Sequence, residues 1–402
     1  MNTNKPNTIP KYTALLTLYL AQSIPMTFFA SVLPVIMRME HYSLTSIGLL
    51  QLIKLPWILK FLWAPVVDSA NGDLRKYKKW IISSELFYAI VIFTTAFLDL
   101  KTDFSLIIIL LVIAFTASAT QDIATDAFAY LVLEKKQRSF GSSIQTIGNF
   151  LGTLIGSGVL LMIYHYLGWK YLIFSLGAFV LLALIPLRLY RPKVVKNDVP
   201  SKKISLADIS TFFKQKGIGK HVFLLSIFYA GIIGVLTMQK PWLVDLGYSI
   251  KQIGIYSGIY GPASGVLFAL LSGYLIRQIG MAKTFKIIFV LSIIITTFFF
   301  ILSQKKQPDY IWLQLAIIGI WSVYSMGSVF IYTLIMNNIR SGHEGTDFTL
   351  QIVITHIGSM IIAIGSGKLA HTLGYDGLFL TGILSNLFVL ILFSFYYKNF
   401  EL

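Results

Sequence analysis

Two carboxylates lie four residues apart in one of the most apolar segments of the chain. Asp122 and Asp126 belong to the run S-A-T-Q-D-I-A-T-D-A-F-A-Y (118–130), which directly follows S-L-I-I-I-L-L-V-I-A-F-T-A. In a helix, a spacing of four places both acids on one face, one turn apart. A charge near the centre of a bilayer costs about 2.5–3.5 kcal/mol on insertion scales. We therefore expect the two acids to face a partner or a hydrated cavity.

The candidate partners of these acids lie in an earlier apolar segment. At 1.5 Å per residue, Lys60 is about 24 Å along its segment from the outer surface and Asp122 about 27 Å along its own, so their depths match. The pair has two interpretations that can coexist: an ion pair that joins two helices, or a titrating acid that carries a coupling proton. Lys54, near mid-depth, is expected to attract an anionic solute or to pair with another acid. Gln22 and Gln121 are candidate hydrogen-bonding residues of a cavity.

A second set of candidate side chains is aromatic. Trp321 and Tyr324 in W-S-V-Y-S (321–325), with Tyr332 further along, can stack on a ring-bearing solute if their helix lines a cavity. The alternative is plain packing. We expect His356 to be a hydrogen-bonded core histidine, and the alternative is an imidazole that titrates near neutral pH. The residues suggest no catalytic group, no metal site and no cofactor, and the absence of cysteine excludes disulfides and thiolate ligands.

These candidates belong to a chain whose composition is that of a membrane protein. It has 402 residues, 56% of them hydrophobic and 12% charged, whereas soluble domains are about 25% charged. We predict an all-α membrane protein without an enzyme domain and assign the net charge of +16 to membrane loops, not to nucleic acid. The twelve predicted spans are 12–37, 44–67, 80–98, 104–133, 139–165, 169–190, 220–244, 250–276, 284–303, 309–338, 345–372 and 375–397.

Basic residues predict the orientation of the chain. With the N-terminus inside, the cytoplasmic segments hold 23 of the 33 Lys and Arg residues, the external loops hold 6, and 4 lie within or near span ends. Because basic residues concentrate on the cytoplasmic side, both termini are predicted to be cytoplasmic.

The chain divides into two similar halves. At a constant offset of 206 residues, Pro56 matches Pro262, Gln145 matches Gln351, and H-Y-L-G-W (165–169) matches H-T-L-G-Y (371–375). This predicts two pseudo-symmetric six-helix bundles, with a solute site between them. The predicted domains are residues 1–190, a cytoplasmic linker at 191–219, and residues 220–402.

The predicted linker includes a candidate amphipathic helix, I-S-L-A-D-I-S-T-F-F-K (204–214). Its expected buried face contains Ile204, Ile209, Phe212 and Phe213. A solvated linker without such a helix is the alternative.

Four stretches carry a resemblance to a known family. They are K-F-L-W-A-P-V-V-D (60–68) with R-K-Y-K-K (75–79), S-A-T-Q-D-I-A-T-D-A (118–127), D-I-S-T-F-F-K (208–214) and T-D-F-T-L-Q (346–351). The chain resembles the AmpG-type permease branch of the major facilitator superfamily, which includes muropeptide permeases, acetyl-CoA transporters and RhtX/FptX-type siderophore importers. The segment I-P-M-T-F-F-A-S-V-L-P-V-I-M-R (24–38) and the wording D-I-A-T-D-A-x-A in the second stretch are more similar to the siderophore importers. The continuation F-A-Y-L-V after that stretch departs from the muropeptide permeases.

The resemblance implies a function and a gating device. The implied function is secondary transport by alternating access, most simply proton-coupled import of a medium-sized polar or anionic solute. A ferri-siderophore importer is the first alternative, and a membrane-embedded transferase is a more remote one. In this superfamily, the loop between the second and third spans contains a latch, which would place Asp68 and Arg75 in that role. We expect a monomer in the bacterial inner membrane, driven by the proton gradient.

Overall fold

The computed structural model describes residues 8–39, 41–42, 50–70, 72–99, 102–191 and 207–397. These residues form helices and connections without any strand. This confirms the predicted all-α class.

The helices of the first half lie close to the predicted spans. The first is α1, Thr8–Thr27, which continues through a π-helical turn at Phe28–Val32 into α2, Leu33–Met39. The others in this half are α3, Leu55–Leu59; α4, Ala64–Val67; α5, Leu74–Thr95; α6, Phe104–Val132; α7, Arg138–Leu154; and α8, Leu160–Leu189, which follows a π-helical turn at Ile155–Val159.

The second half follows the same pattern. Its helices are α9, Ala207–Phe213; α10, Ile218–Ile227; α11, Ala230–Asp245; α12, Ile250–Ile255; α13, Gly261–Ser303, after a π-helical turn at Tyr256–Tyr260; α14, Tyr310–Asn337; and α15, Glu344–Tyr397.

Seven helical stretches of the described residues are long and apolar enough to cross a membrane. Three of them, Lys135–Leu189, Lys251–Ser303 and Glu344–Ser394, have 51 to 55 residues. A straight helix of that length is about 80 Å long, whereas the hydrocarbon core of a bilayer is about 30 Å thick. The backbone turns within each of them, at Gly168, Gly280 and Gly374. The exact number of twelve spans stays a prediction.

The second predicted span differs from expectation. Residues 44–67 were expected to form one helix, but residues 50–70 alternate between 3₁₀-helix and the short helices α3 and α4. Pro56 and Pro65 each lie in the first turn of one of these helices. Because proline has no backbone N–H and its ring clashes with the preceding turn, it interrupts a continuous hydrogen-bond ladder. Residues 43–49 lie outside the described residues.

The backbone repeats at the offset found in the sequence. Gly168 has φ 78° and ψ −176°, and Gly374, 206 residues later, has φ 73° and ψ 177°. This region of backbone space is open almost exclusively to glycine. His41 (φ 64°) and Gly247 (φ 84°) are a second pair with positive φ at the same offset. These backbone matches support the predicted repeat.

Close contacts divide the chain into two units. Unit 1 comprises Met1–Phe212 with Met336–Leu350, and unit 2 comprises Phe213–Ile335 with Gln351–Leu402. The predicted domain limits at 190 and 219 stay a prediction.

Each unit has its own apolar core. In unit 1, Phe29 packs edge-on against Phe115, with ring centroids 5.9 Å apart. In unit 2, Phe228 stacks on Phe330 at 5.6 Å, and Phe285 stacks on Phe393 at 3.6 Å.

The linker helix is present as α9, with a different buried face from the one expected. Phe212 is buried, but so is Asp208, and Phe213 is 49% exposed. Ile204 lies outside the described residues.

Candidate functional site

A buried charge cluster lies in unit 1, formed by Lys60, Asp122 and Asp126. The three side chains come from the irregular second span and from α6, and these residues are 1%, 4% and 2% exposed. Lys60 forms an ion pair with Asp122, as the matched depths suggested. The Lys60 ammonium also lies 4.9 Å from the ring centroid of Trp57, within the range of a cation–π contact.

Asp126 has different partners from Asp122. Its Oδ1 accepts hydrogen bonds from the Tyr19 hydroxyl at 3.0 Å and from Gln145 Nε2 at 3.1 Å. Both donors are uncharged, and they come from α1 and α7. Together with Lys60, the cluster has one positive group and two acids, so one additional proton would make it neutral.

A glutamine pair lies beside the cluster. Gln22 Nε2 donates to Gln121 Oε1 at 2.5 Å. Gln121 Nε2 and Gln145 Oε1 are buried and have no hydrogen-bond partner among the described residues. The two glutamines predicted from sequence therefore contact each other, with donor capacity left over for a polar ligand or water.

Glycines explain how α1 and α7 bring Tyr19 and Gln145 to the same acid. A Cβ atom at Gly148 would lie 2.7 Å from Tyr19 Cβ, and one at Gly156 would lie 2.6 Å from Ile24 O. With Gly152 between them, these glycines recur at every fourth residue, a spacing that allows two helix backbones to approach this closely. A larger side chain at either position would separate the helices and displace Tyr19 from Asp126.

Lys54 lies apart from the cluster. It ends the 3₁₀-helix Leu50–Lys54 and is partly buried. No carboxylate of the described residues forms an ion pair with it. An unpaired cation at this position is compatible with attraction of an anionic group.

Asp68 is the centre of a second network, the Asp68 network, formed with Tyr77, Gly345 and Thr346. Its carboxylate accepts the N–H of Gly345 at 2.7 Å, the N–H and the hydroxyl of Thr346 at 2.8 and 2.6 Å, and the hydroxyl of Tyr77 at 2.8 Å. These backbone donors open α15, where a negative side chain is stabilised by the unpaired N–H groups and the helix dipole. Burial raises the pKa of Asp68 to about 6, against the opposing effect of these hydrogen bonds.

Arg75, the other predicted latch residue, is not part of this network. Its side chain is exposed, and its backbone N–H donates to Asp73 as part of the N-terminal cap of α5. Tyr77, two residues further along, supplies the contact to Asp68 instead.

Arg340 ties three segments of unit 1 together. Its guanidinium forms a bidentate ion pair with Asp347, with N–O distances of 2.8 and 2.6 Å. It also donates to the Thr211 hydroxyl at 2.8 Å and to the Asp208 carbonyl at 3.2 Å, and lies 5.8 Å from the ring of Phe212. The linker helix α9 is thus bound to the start of α15. Apart from an isolated arginine before T-D-F-T-L-Q, no pattern in the sequence indicates this contact.

Unit 2 contains a cavity of about 360 Å³, here called the tyrosine cavity. Tyr324 and Tyr332 line it, as the sequence suggested, together with Tyr229. The Tyr229 and Tyr324 rings are 5.3 Å apart, and the Tyr229 hydroxyl donates to Ser328 at 3.2 Å. The other lining residues are Ile233, Thr237, Ser328, Ile331, Ile352, Thr355, His356, Ser359, Met360 and Ala363.

Trp321 and His356 differ from expectation in this region. Trp321 is not among the lining residues: it packs over Gly261, where a Cβ would lie 2.6 Å from its ring. The expectation that His356 is a core histidine is wrong, because its side chain is exposed and lines the cavity. Polar and apolar residues are interspersed along α15 without concentrating on one face, so its sequence does not indicate which face turns toward open space.

The arrangement described so far is that of a membrane transporter: long kinked helices, a backbone repeat, buried charges in one unit and a polar cavity in the other. The chain belongs to the Major Facilitator Superfamily, whose family model matches residues 15–361. It is therefore a transporter and not an enzyme, and a multi-pass protein of the inner membrane.

Two relatives named as a permease and a putative transporter are similar to this chain over most of its length. The chain is 22% identical over 379 residues to the anhydromuropeptide permease of Escherichia coli K12, covering 93% of this chain and 77% of the relative. It is 26% identical over 376 residues to the putative transporter AmpG 1 of Rickettsia conorii, covering 85% and 87%.

Solved structures share the fold. A bacterial homologue of the iron transporter ferroportin in an outward-facing state has a TM-score of 0.68 at 13% identity, covering 97% of this chain and 99% of that one. The proton:xylose symporter XylE has a TM-score of 0.67 at 15% identity, covering 96% of each chain. At such identities the likeness concerns the fold alone.

Proposed function

We propose that this chain is a proton-driven importer of a medium-sized polar or anionic solute that works by alternating access, with an anhydromuropeptide as the first candidate solute. The observation that carries the proposal is the buried charge cluster. Three ionisable side chains are removed from water in an apolar transporter core, and the sequence repeat lacks them in the second half. The Escherichia coli relative, an anhydromuropeptide permease, supplies the candidate solute.

The cluster supports proton coupling through its charge balance. Asp122 has Lys60 as its counter-ion, whereas the hydrogen-bond donors to Asp126 are the neutral groups of Tyr19 and Gln145. An uncompensated buried charge costs several kcal/mol. One proton shared by the two acids makes the cluster neutral and removes that cost. Release of this proton to water restores the uncompensated charge. A transport cycle that alternately hydrates and buries Asp126 would therefore bind and release a proton.

The other predicted residues support solute binding. Lys54 is a cation without a carboxylate partner in the described residues and suits an anionic group. Tyr324 and Tyr332 offer ring faces and hydroxyls in the tyrosine cavity. An anionic group would suit Lys54, a ring would suit the tyrosine cavity, and the proposal requires no cofactor beyond the proton gradient.

Proteoliposomes test the proposal directly. The purified chain is reconstituted with an alkaline interior, and radiolabelled anhydromuropeptide is added outside. We expect accumulation above the external concentration, and its loss when a protonophore collapses the gradient. Passive equilibration that is identical with and without the gradient would contradict proton coupling.

A ferri-siderophore is the alternative solute, favoured by the residues at 24–38 and by the wording D-I-A-T-D-A. A radiolabelled ferric siderophore is added outside the same proteoliposomes, with the same pH gradient. Accumulation of the siderophore without the muropeptide would replace the first candidate. If the vesicles accumulate neither solute, both assignments fail.

The distribution of basic residues supports cytoplasmic termini, and we propose a monomeric transporter. Reporter fusions at each end, active only in the cytoplasm or only outside it, test the orientation. Light scattering of the purified protein in detergent tests the oligomeric state.

A further inference from the structure

We infer that His356 binds an anionic group of the solute in its protonated form, so that the tyrosine cavity takes up a proton together with a carboxylate-bearing solute. This inference rests on the proposed transport function. It adds to the buried charge cluster a second proton site, one whose occupancy depends on the solute.

The geometry places the imidazole where a solute would meet it. His356 lies on α15 and is exposed to the tyrosine cavity, with Thr355 and Ser359 of the same helix also in the lining. Helix α14 supplies Tyr324 and Tyr332 to the same lining. A ligand in this cavity thus encounters hydroxyl groups from two helices and one imidazole.

The charge of the lining depends on that imidazole. Among the residues that the structure describes, the lining contains no Asp, Glu, Lys or Arg. The other titratable groups that face the cavity are the phenols of Tyr229, between α10 and α11, and of Tyr324 and Tyr332 on α14. Phenols are uncharged at neutral pH. Histidine is the side chain that ordinarily changes charge between pH 5 and 8, so the lining is neutral or carries one positive charge according to His356.

This property selects the ligand class. A carboxylate that enters a neutral cavity loses water and gains hydrogen bonds from hydroxyls. A protonated imidazole adds a charge-assisted hydrogen bond to the same group. By linkage, the bound anion favours the protonated imidazole as much as the protonated imidazole favours the anion. Couplings of this kind typically change affinity about 5- to 150-fold.

The repeat indicates that His356 is an addition to the scaffold. The position 206 residues earlier is Phe150, a buried apolar side chain of α7. Nearby Gly358 and its counterpart Gly152 are both retained, and a Cβ at either would collide with the neighbouring helix. The helix packing is therefore shared by the two halves, whereas the imidazole belongs to one.

The first experiment follows the imidazole itself. The full chain, labelled with ¹³C at histidine, is titrated in detergent from pH 5 to 8.5, and the His356 resonance is assigned by its loss in His356→Gln. We expect the resonance to titrate in this range and its midpoint to move to higher pH when anhydromuropeptide is bound.

The second experiment measures binding and proton uptake. In a weakly buffered solution, we expect the Asp126→Asn variant to take up about one proton for each anhydromuropeptide that it binds. The Asp126→Asn background removes the proposed proton site of the cluster. When His356→Gln is added to the same background, we expect this proton uptake to disappear. The affinity for anhydromuropeptide should then fall at least 5-fold at pH 6 and change less than 2-fold at pH 8.5. His371→Gln is the matched control, because His371 is exposed on the same helix and outside the lining.

The outcomes separate the inference from the proposed function. A His356 resonance that does not titrate, or that titrates identically with and without bound solute, overturns the inference. If anhydromuropeptide does not bind, the solute assignment fails. The titration of the His356 resonance is then repeated with acetate, which supplies a carboxylate without the rest of the solute. A midpoint that moves with acetate supports the inference, and one that does not move overturns it. His356→Asn repeats the measurement if His356→Gln does not fold.

Discussion

The buried charge cluster and the tyrosine cavity occupy matching positions of the two repeats but have opposite chemistry. At the offset of 206 residues, Asp122 corresponds to Ser328 and Asp126 to Tyr332. The first repeat buries acids and a lysine, whereas the second lines an open space with hydroxyls. The difference shows that the helix scaffold was kept while its side chains diverged. The proposed coupling and recognition functions therefore fall on different repeats and can be altered separately.

The largest expected effect comes from removing the cation of the cluster. Lys60→Ala leaves Asp122 buried without its counter-ion, which destabilises a folded protein by about 3–5 kcal/mol. We expect little folded protein in detergent, measured by size-exclusion chromatography and thermal unfolding. The matched variant Lys60→Met/Asp122→Leu removes both charges and should recover folding.

The double variant also decides what the pair does. If Lys60→Met/Asp122→Leu folds and still accumulates solute against its gradient, the ion pair is structural and coupling belongs to Asp126. If it folds but only equilibrates solute, the pair takes part in coupling.

The second prediction concerns Asp126. Asp126→Asn keeps an oxygen that can accept from Tyr19 and Gln145 but cannot release a proton. We expect accumulation driven by a pH gradient to disappear, while exchange of internal for external solute continues. Tyr332→Phe, at the matching position of the other repeat, should retain accumulation at a saturating solute concentration, because only KM is expected to change in that variant. Full accumulation by Asp126→Asn would remove it from the coupling mechanism.

The third prediction concerns Asp68, which directly follows the second predicted span. The pKa of Asp68 is raised from 3.8 to about 6 in the folded protein. A raised pKa means that the stabilising contribution is complete below about pH 4 and is lost as the pH rises through about 6. We expect amide exchange at Gly345 and Thr346, corrected for its intrinsic rate, to be faster at pH 7.5 than at pH 5. Asp68→Asn should remove this pH dependence, and greater protection at high pH would refute it.

The smallest effects are expected in the tyrosine cavity. Tyr324→Phe and Tyr332→Phe each remove one hydroxyl, worth about 0.5–1.5 kcal/mol. We expect KM for the solute to rise about 2- to 10-fold with little change in maximal rate. Trp321→Phe, a residue outside the lining, is the control and should leave KM unchanged. A loss of maximal rate in the tyrosine variants would place these residues in coupling as well.

Hydropathy and spacing predicted much of the fold. The fourth span, expected at 104–133, is α6 at Phe104–Val132, because an uninterrupted apolar run has few alternatives in a bilayer. The Lys60–Asp122 contact followed from matched depth. The conformation of the second span was harder to predict. Pro56 and Pro65 indicate where a helix is interrupted, but they do not indicate that 3₁₀ turns replace it.

The contacts of the sites were mostly beyond sequence reasoning. Tyr19 and Gln145 reach Asp126 from helices far apart in the chain, and these side chains meet only through tertiary packing. Arg340 meets α9 and Asp347 through tertiary packing that leaves no local pattern. His356 shows a further limit: a helix whose polar residues are not concentrated on one face does not reveal its rotation about its own axis.

The division of α15 has a consequence for cutting the chain. Its first residues, through Leu350, belong with unit 1, and the remainder belongs with unit 2. A fragment that ends in the linker would lack the donors to Asp68 and the backbone carbonyl of Met336 that accepts a hydrogen bond from Arg138. Split halves of this protein would therefore be complementary pieces that need each other to fold, and would not be two self-sufficient modules.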